Sequence, residues 1–226
     1  MDYLSDTIAY IAMGAGVTLK VFFVTLIFSI PLGIICALGK LNRAKALRGI
    51  PGALLRGILG GYTWIFRGTP LLLQLFFTYY GLGILSGGRI AFSPEMAAYL
   101  TFVFNYAAYF TEIFRGGIQS IGKGQYEAAK ALGMNPWLTM KRIILPQAVK
   151  IILPPLGNES INLIKDTALC SVITVTEILR NANRVMSRDF NISALVIAAA
   201  IYLLMTFVVI QVFRRLEKRY AYYNIR

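Results

Sequence analysis

Asn158, Glu159, Asn162, Lys165 and Asp166 interrupt a largely apolar stretch. Spacings of three and four place them on one stripe of a helix. Counting from Pro146 at about 1.5 Å per residue puts Glu159 roughly 20 Å along that helix. A lone carboxylate at such a depth in apolar surroundings is costly unless a cation compensates it. Lys165 lies six residues on, roughly 9 Å along the axis, and is a poor partner. Asp166 adjoins that lysine and cannot pair helically with it. An ammonium or guanidinium carried by a solute would compensate Glu159. Lys165, or Arg67 from another segment, would then take a solute carboxylate, with Asn158 and Asn162 supplying hydrogen bonds. Two readings of the stripe stay open: a solute pathway, or hydrogen bonding between the helices of a dimer.

Other candidates carry less chemistry. Glu112 and Arg115 sit one turn apart and can pair at i, i+3. Lys20 can extend to a membrane interface. The chain has no histidine, and its two cysteines, Cys36 and Cys170, lie in apolar surroundings as small hydrophobes. No nucleophile–base pair or metal-ligand set appears, so a membrane enzyme lacks support. Gly117 to Lys123 matches G-x-x-x-x-G-K, but the hydroxyl residue that should follow is Gly124. The segment also follows an apolar stretch, not a strand. Any nucleotide is expected on another polypeptide.

The elements that must hold these residues are membrane spans. Of 226 residues, 57% are hydrophobic and 15% charged, against about 25% charged in soluble domains. Five spans are expected, over about 10–38, 53–85, 94–114, 143–175 and 190–213. Pro70 breaks the second, and Ser93-Pro94 reads as the cap and first turn of the third. Asp189 is a candidate cap for the fifth. The N-terminus lacks the positive region of a cleaved signal. The chain reads as one domain, 1–226, of an all-α integral membrane protein.

The net charge of +13 suits basic cytoplasmic loops better than nucleic acid binding. About sixteen basic residues fall on one side, in the loops around Lys40–Arg56 and Arg115–Lys150 and in the tail. About four fall on the other: Arg89, Arg180, Arg184 and Arg188. This asymmetry places the N-terminus outside and the C-terminus in the cytoplasm.

The largest basic loop, about 122–141, has its own pattern. Tyr126 to Leu132 is rich in helix formers. Gly133 can end that helix in a left-handed conformation, and Asn135-Pro136 can start another. Two short helices at a glycine make a knob suited to docking. Glu127-Ala128-Ala129, Gly133, Ile143, Leu145 and Pro146 resemble the E-A-A-x3-G-x9-I-x-L-P signature of permease subunits of ATP-binding cassette importers. Arg67-Gly68-Thr69-Pro70-Leu71-Leu72 with Gln74 resembles the R-G-T-P-L-L-x-Q stretch of that family's polar amino acid branch. Ala108-Tyr109, Glu112 and Arg115-Gly116-Gly117-Ile118 resemble its A-Y-x-x-E-x-x-R-G-G-I stretch. Lys165-Asp166-Thr167-Ala168-Leu169 resembles K-D-T-S-L, with Ala168 in place of the usual serine.

The resemblance implies a type I importer fold that moves a polar amino acid by alternating access. It implies two ATPase subunits docked on the knobs through Glu127, Ala128, Ala129 and Gly133. It also implies a second permease subunit, identical or paralogous, and an extracytoplasmic amino-acid-binding protein, in a prokaryotic inner membrane. ATP and magnesium would sit on the ATPase, with no cofactor on this chain. In many relatives a small polar residue stands where this chain has Glu159, so the acid points to a cationic amino acid. The competing class is a stand-alone channel or ion-coupled secondary transporter, which needs no signature loop.

Overall fold

The computed structural model describes residues 2–41 and 50–221, and these contain helices and turns with no strand. Arg43, Lys45, Arg48 and Arg226, part of the basic tally, lie outside the described residues.

Helix α1 runs Asp2–Leu41, 40 residues. At 1.5 Å per residue that is about 60 Å, twice the hydrocarbon core of a bilayer. Helix α10, Ser193–Tyr220, has 28 residues. Both are long and apolar enough to cross on length and composition alone, each holding an 18-residue stretch of mean hydropathy 2.6. Their outward faces carry Ile27, Ile35, Leu203, Leu204 and Phe207, all more than half exposed. Such surface calls for lipid, not water.

The segment expected as the second span is built in pieces. Helix α2, Ile50–Gly68, stops before Pro70. Helix α3, Leu71–Phe76, leads through a π-helical turn, Phe77–Gly81, into α4, Leu82–Leu85. The two halves of this segment meet at 105°. Helix α5, Pro94–Gln119, begins as expected: the Ser93 hydroxyl accepts from the Met96 N–H at 3.3 Å, and Pro94 opens the first turn. Then come the short helices α6, Lys123–Ala131, and α7, Pro136–Thr139. Helix α8, Leu145–Asp166, ends earlier than the expected span and continues as a 3-10 turn, Thr167–Ile173.

Packing centres on α5. Its buried ladder Phe102, Tyr106, Phe110 and Phe114 packs ring against ring. Helix α1 lies along it, and Gly33 lets the backbones close. A Cβ there would meet Phe110 Cβ at 2.8 Å and the Thr111 nitrogen at 3.2 Å.

One helix was not expected. Helix α9, Ile178–Asp189, lies in what read as the loop before the last span. Its signals are an acid before the first turn and apolar residues at helical spacing, interspersed with arginines. Ile178, Ala182 and Val185 are buried in a cluster with Ile11, Ala194 and Ala198. Glu177 caps α9, accepting from the Leu179 and Arg180 N–H groups at 2.8 and 2.7 Å, and also from the Tyr202 hydroxyl. Asn181 donates to the Tyr10 carbonyl at 3.1 Å, fastening α9 to α1.

Asp189 therefore does not cap the last span. It ends α9, where Arg188 and the Tyr3 hydroxyl hold its carboxyl down at about 2. The start of α10 is served by Asn191, whose side-chain oxygen accepts from the Ser193 N–H at 2.9 Å.

Helices α1 and α9 touch at Gly14, where a Cβ would fall 2.5 Å from both Glu177 C and Ile178 N. A neighbouring glycine, Gly16, has nothing within 4 Å. Gly14→Val is expected to destabilise the protein by about 1–3 kcal/mol through overpacking, and Gly16→Val, matched in helix propensity, by much less. Thermal unfolding of the two purified variants in detergent checks this. Equal losses would mean that the α1–α9 contact contributes nothing.

Candidate solute site and docking knob

The α2–α3 corner faces the middle of α5 and the second half of α8. Together they enclose a cavity of about 490 Å³ lined by Arg67, Thr69, Pro70, Asn105, Tyr106, Tyr109, Glu159, Asn162 and Asp166. That volume falls within the range of about 300–1,000 Å³ usual for small-molecule sites.

Four of the six residues read from sequence as solute ligands line it: Arg67, Glu159, Asn162 and Asp166. Asn158 and Lys165 do not, and are exposed on this chain. Helix geometry explains the split. At about 100° per residue, Glu159, Asn162 and Asp166 lie within roughly 60° of one another. Asn158 and Lys165 fall on the flank of the same stripe. Spacings of three and four define a broad face, but only its centre meets the cavity.

Within the cavity Glu159 and Asn162 stand three residues apart on the same face of α8. The Tyr106 hydroxyl donates to Asp166 Oδ2 at 2.7 Å. The Arg67 guanidinium lies 5.4 Å from the centre of the Tyr109 ring, a cation–π contact that orients it. The ionisable lining residues are thus one guanidinium and two carboxyl groups, with two phenols beside them. Asn105, Tyr106, Tyr109 and Thr69 were not read as site residues. Tyr109 and Thr69 sit inside the quoted family stretches. Asn105 and Tyr106 carry no local signal beyond a polar edge on an aromatic helix.

A second polar cluster is structural. Glu112 pairs with Arg115 at 2.6 Å, as its spacing implied, and also with Lys40. Lys40 in turn donates to the Thr63 hydroxyl at 2.9 Å. One carboxylate thereby joins α1, α2 and α5. Lys20 lies 5.7 Å from the centre of the Tyr99 ring. Cys36 and Cys170 are buried free thiols. Among the described residues no group of His, Cys, Asp or Glu could hold a metal ion.

The knob forms as the sequence suggested. Gly133 is left-handed, with φ of +72°. Its N–H donates to the Lys130 carbonyl and that of Met134 to the Ala129 carbonyl, both at 3.0 Å. This crossed pair is the Schellman closure of α6. Asn135 Oδ1 then accepts from the Leu138 N–H at 2.8 Å, with Pro136 opening α7. Of the signature residues, Glu127 and Ala128 are exposed and Ala129 is buried. The knob also displays Leu132 at 80% exposure and Trp137 at 70%, so its tip is apolar.

A bundle of long apolar helices, a polar cavity between them and an exposed two-helix knob define a transport subunit that works against a partner. Residues 29–222 match the family described as binding-protein-dependent transport system inner membrane component, and the chain belongs to it. It is the membrane subunit of an ATP-binding cassette importer. A Rickettsia bellii permease protein named for a glutamine transport system is 38% identical over 216 residues, covering 95% of this chain and 94% of that one. The arginine transport system permease protein ArtQ of Bacillus subtilis is 37% identical, covering 94% and 93%. The crystal structure of an amino acid ABC transporter with histidines superposes with a TM-score of 0.83 at 33% identity, covering 97% and 99%. The stand-alone channel or secondary transporter is not favoured.

The backbone at Gly133 sets the knob's shape. A β-branched residue resists φ of +72°, whereas asparagine tolerates it. Gly133→Val is expected to insert in the membrane and lose import, while Gly133→Asn keeps most of it. Glu127→Ala should weaken import by removing an exposed polar group from the knob. Import assays alongside quantified membrane protein check this, and full activity of the valine variant would remove the knob from the coupling path.

Proposed function

We propose that this chain imports a polar amino acid of cationic type, through a pathway shared with a second permease subunit. The observation that carries the reading is the charge balance of the cavity. Arg67 against Glu159 and Asp166 leaves a formal charge of minus one. A neutral zwitterion would leave that charge uncompensated at mid-depth, where it is costly. A cationic amino acid brings two positive groups and one carboxylate, and the sum is zero. Arg67 then takes the carboxylate. Glu159, with Asn162 beside it, takes an ammonium or guanidinium, and Asp166 helps through its link to Tyr106. Asn158 and Lys165, on the flank of the stripe, face the second subunit or the wider pathway.

The names of relatives do not choose the solute, because a glutamine system and an arginine system stand at nearly the same identity. The charge balance of the cavity is what supports the cationic one.

In the working assembly two ATPase subunits hold ATP and magnesium and sit on the knobs. Glu127 and Ala128 make the contact, and Ala129 and Gly133 shape it. A binding protein delivers the solute on the opposite face. Closure of the ATPase pair moves the knobs, the helices tilt, and access alternates. The N-terminus is outside and the C-terminus cytoplasmic, in keeping with the basic asymmetry and with the knob's place among basic residues. Cysteines at the exposed positions Asp6 and Lys218, in a chain lacking Cys36 and Cys170, test the orientation. An impermeant thiol reagent on intact cells should reach position 6 alone, and labelling at 218 would reverse the assignment.

Glu159→Gln keeps the shape and hydrogen bonding of the side chain and removes its charge. Uptake of arginine or lysine is expected to fall about tenfold, the equivalent of about 1.4 kcal/mol, while uptake of glutamine holds or rises. Radiolabelled uptake by the reconstituted importer reads both. An unchanged preference would make Glu159 a packing residue and withdraw the cationic assignment.

A further inference from the structure

Pro70 leaves one backbone group without its usual partner. In a continuous helix the Phe66 carbonyl would accept from the N–H of residue 70, and proline has none. The carbonyl one position earlier, Ile65, is taken twice, by the Thr69 N–H at 3.1 Å and its hydroxyl at 2.8 Å. The Phe66 carbonyl is met instead by two side-chain amides. Gln74 Nε2 donates to it at 2.9 Å and Asn105 Nδ2 at 3.0 Å.

The same Gln74 nitrogen lies 3.1 Å from the Thr69 carbonyl and 2.7 Å from its hydroxyl oxygen. Gln74 Oε1 accepts from Asn105 Nδ2 at 3.0 Å. The two amides fix each other's orientation, since turning either one would set like atoms face to face. One point thus ties the end of α2, the start of α3 and the middle of α5. Arg67 is the next residue after Phe66, and Thr69, Pro70 and Asn105 all line the cavity.

We propose that Gln74 and Asn105 are positioning residues, which lock the 105° corner and thereby set where Arg67 stands at the cavity wall. The proposal rests on the reading of that cavity as the solute site. Gln74 acts from outside the cavity, through the Phe66 carbonyl and Thr69. Its loss alters the corner without deleting a cavity group. Without Gln74 the Phe66 carbonyl keeps only the Asn105 donor, and Asn105 loses the Gln74 Oε1 acceptor that orients it. Weakly satisfied backbone in a bilayer is costly, so the corner relaxes.

The test uses the whole importer complex, with nitroxide labels on cysteines at the exposed positions Ile58 and Leu85 and with Cys36 and Cys170 replaced by alanine. Gln74→Met keeps length and removes both polar atoms. Where that variant assembles poorly, Gln74→Met with Pro70→Ala returns an N–H to the Phe66 carbonyl. The unaltered corner should give a narrow distance distribution. Gln74→Met should broaden it, and the double variant should move it towards the roughly 40 Å of a continuous helix.

Equilibrium binding of radiolabelled arginine to the same complexes, without binding protein, should weaken about tenfold in Gln74→Met. An unchanged distance distribution in Gln74→Met overturns the proposal. So does a broadened distribution with unchanged arginine binding. If the unaltered complex binds no arginine, the solute-site reading fails, and the distances alone decide whether the amides hold the corner.

Discussion

The structure depends on a rule of the bilayer: backbone polar groups at depth must be satisfied inside the protein. A straight helix obeys it without help. This chain places a proline, Pro70, between α2 and α3, and the apolar segment they form bends by 105°. The Phe66 carbonyl freed by the proline is met by Gln74 and Asn105. Because the repair comes partly from α5, the bend is tied to the helix that forms the core. The corner then has a fixed place, and the cavity between it and α8 has a defined wall.

Two carboxylates, Glu177 buried and Glu112 partly buried, fasten the bundle at separate places. Glu112 gathers Lys40 of α1 and Arg115 of its own helix, and Lys40 reaches Thr63 of α2. Glu177 gathers two N–H groups of α9 and the Tyr202 hydroxyl of α10, and its backbone lies against Gly14 of α1. A buried charge adds little net stability over an apolar replacement, but removing one partner is costly. Such nodes therefore specify which helix sits beside which. Close approach elsewhere uses small residues, as at Gly33 against Phe110 and Gly157 against Phe213.

The sequence was readable where a local rule decides the geometry. Ser93-Pro94, Gly133 and Asn135-Pro136 each force a start or a stop, and each stands where the pattern put it. The Glu112–Arg115 pair follows from spacing alone. The polar stripe of α8 was readable as a stripe, yet which residues enter the cavity depends on the rotation of α8 about its axis. Neighbours set that rotation, so Asn158 and Lys165 could not be separated from Glu159 in advance. Asn105 was hidden for a similar reason, because its partners lie 31 and 39 positions away. Helix α9 was missed because it is short, and its arginines made it look like a loop. Its buried face shows only once α1 and α10 are beside it. Asp189 was assigned to the helix that follows it, but it belongs to the end of the one before.

The arrangement also bears on how a solute could be released. A site that neutralised its ligand through rigid groups alone would hold it in every state of the cycle. Here the two kinds of group stand on different elements. The carboxyl groups are carried by α8, which follows directly from the knob through a π-helical turn, Met140–Ile144. Arg67 is carried by the corner, which is tied to α5. On the proposed reading, a movement of the knob reaches α8 through consecutive backbone, and reaches Arg67 only through packing. Displacing one set of ligands relative to the other weakens all the charge interactions at once, since Coulomb energy falls with separation and with entering water. A site split between a helix continuous with the knob and a corner fixed to the core can bind in one state and release in the next.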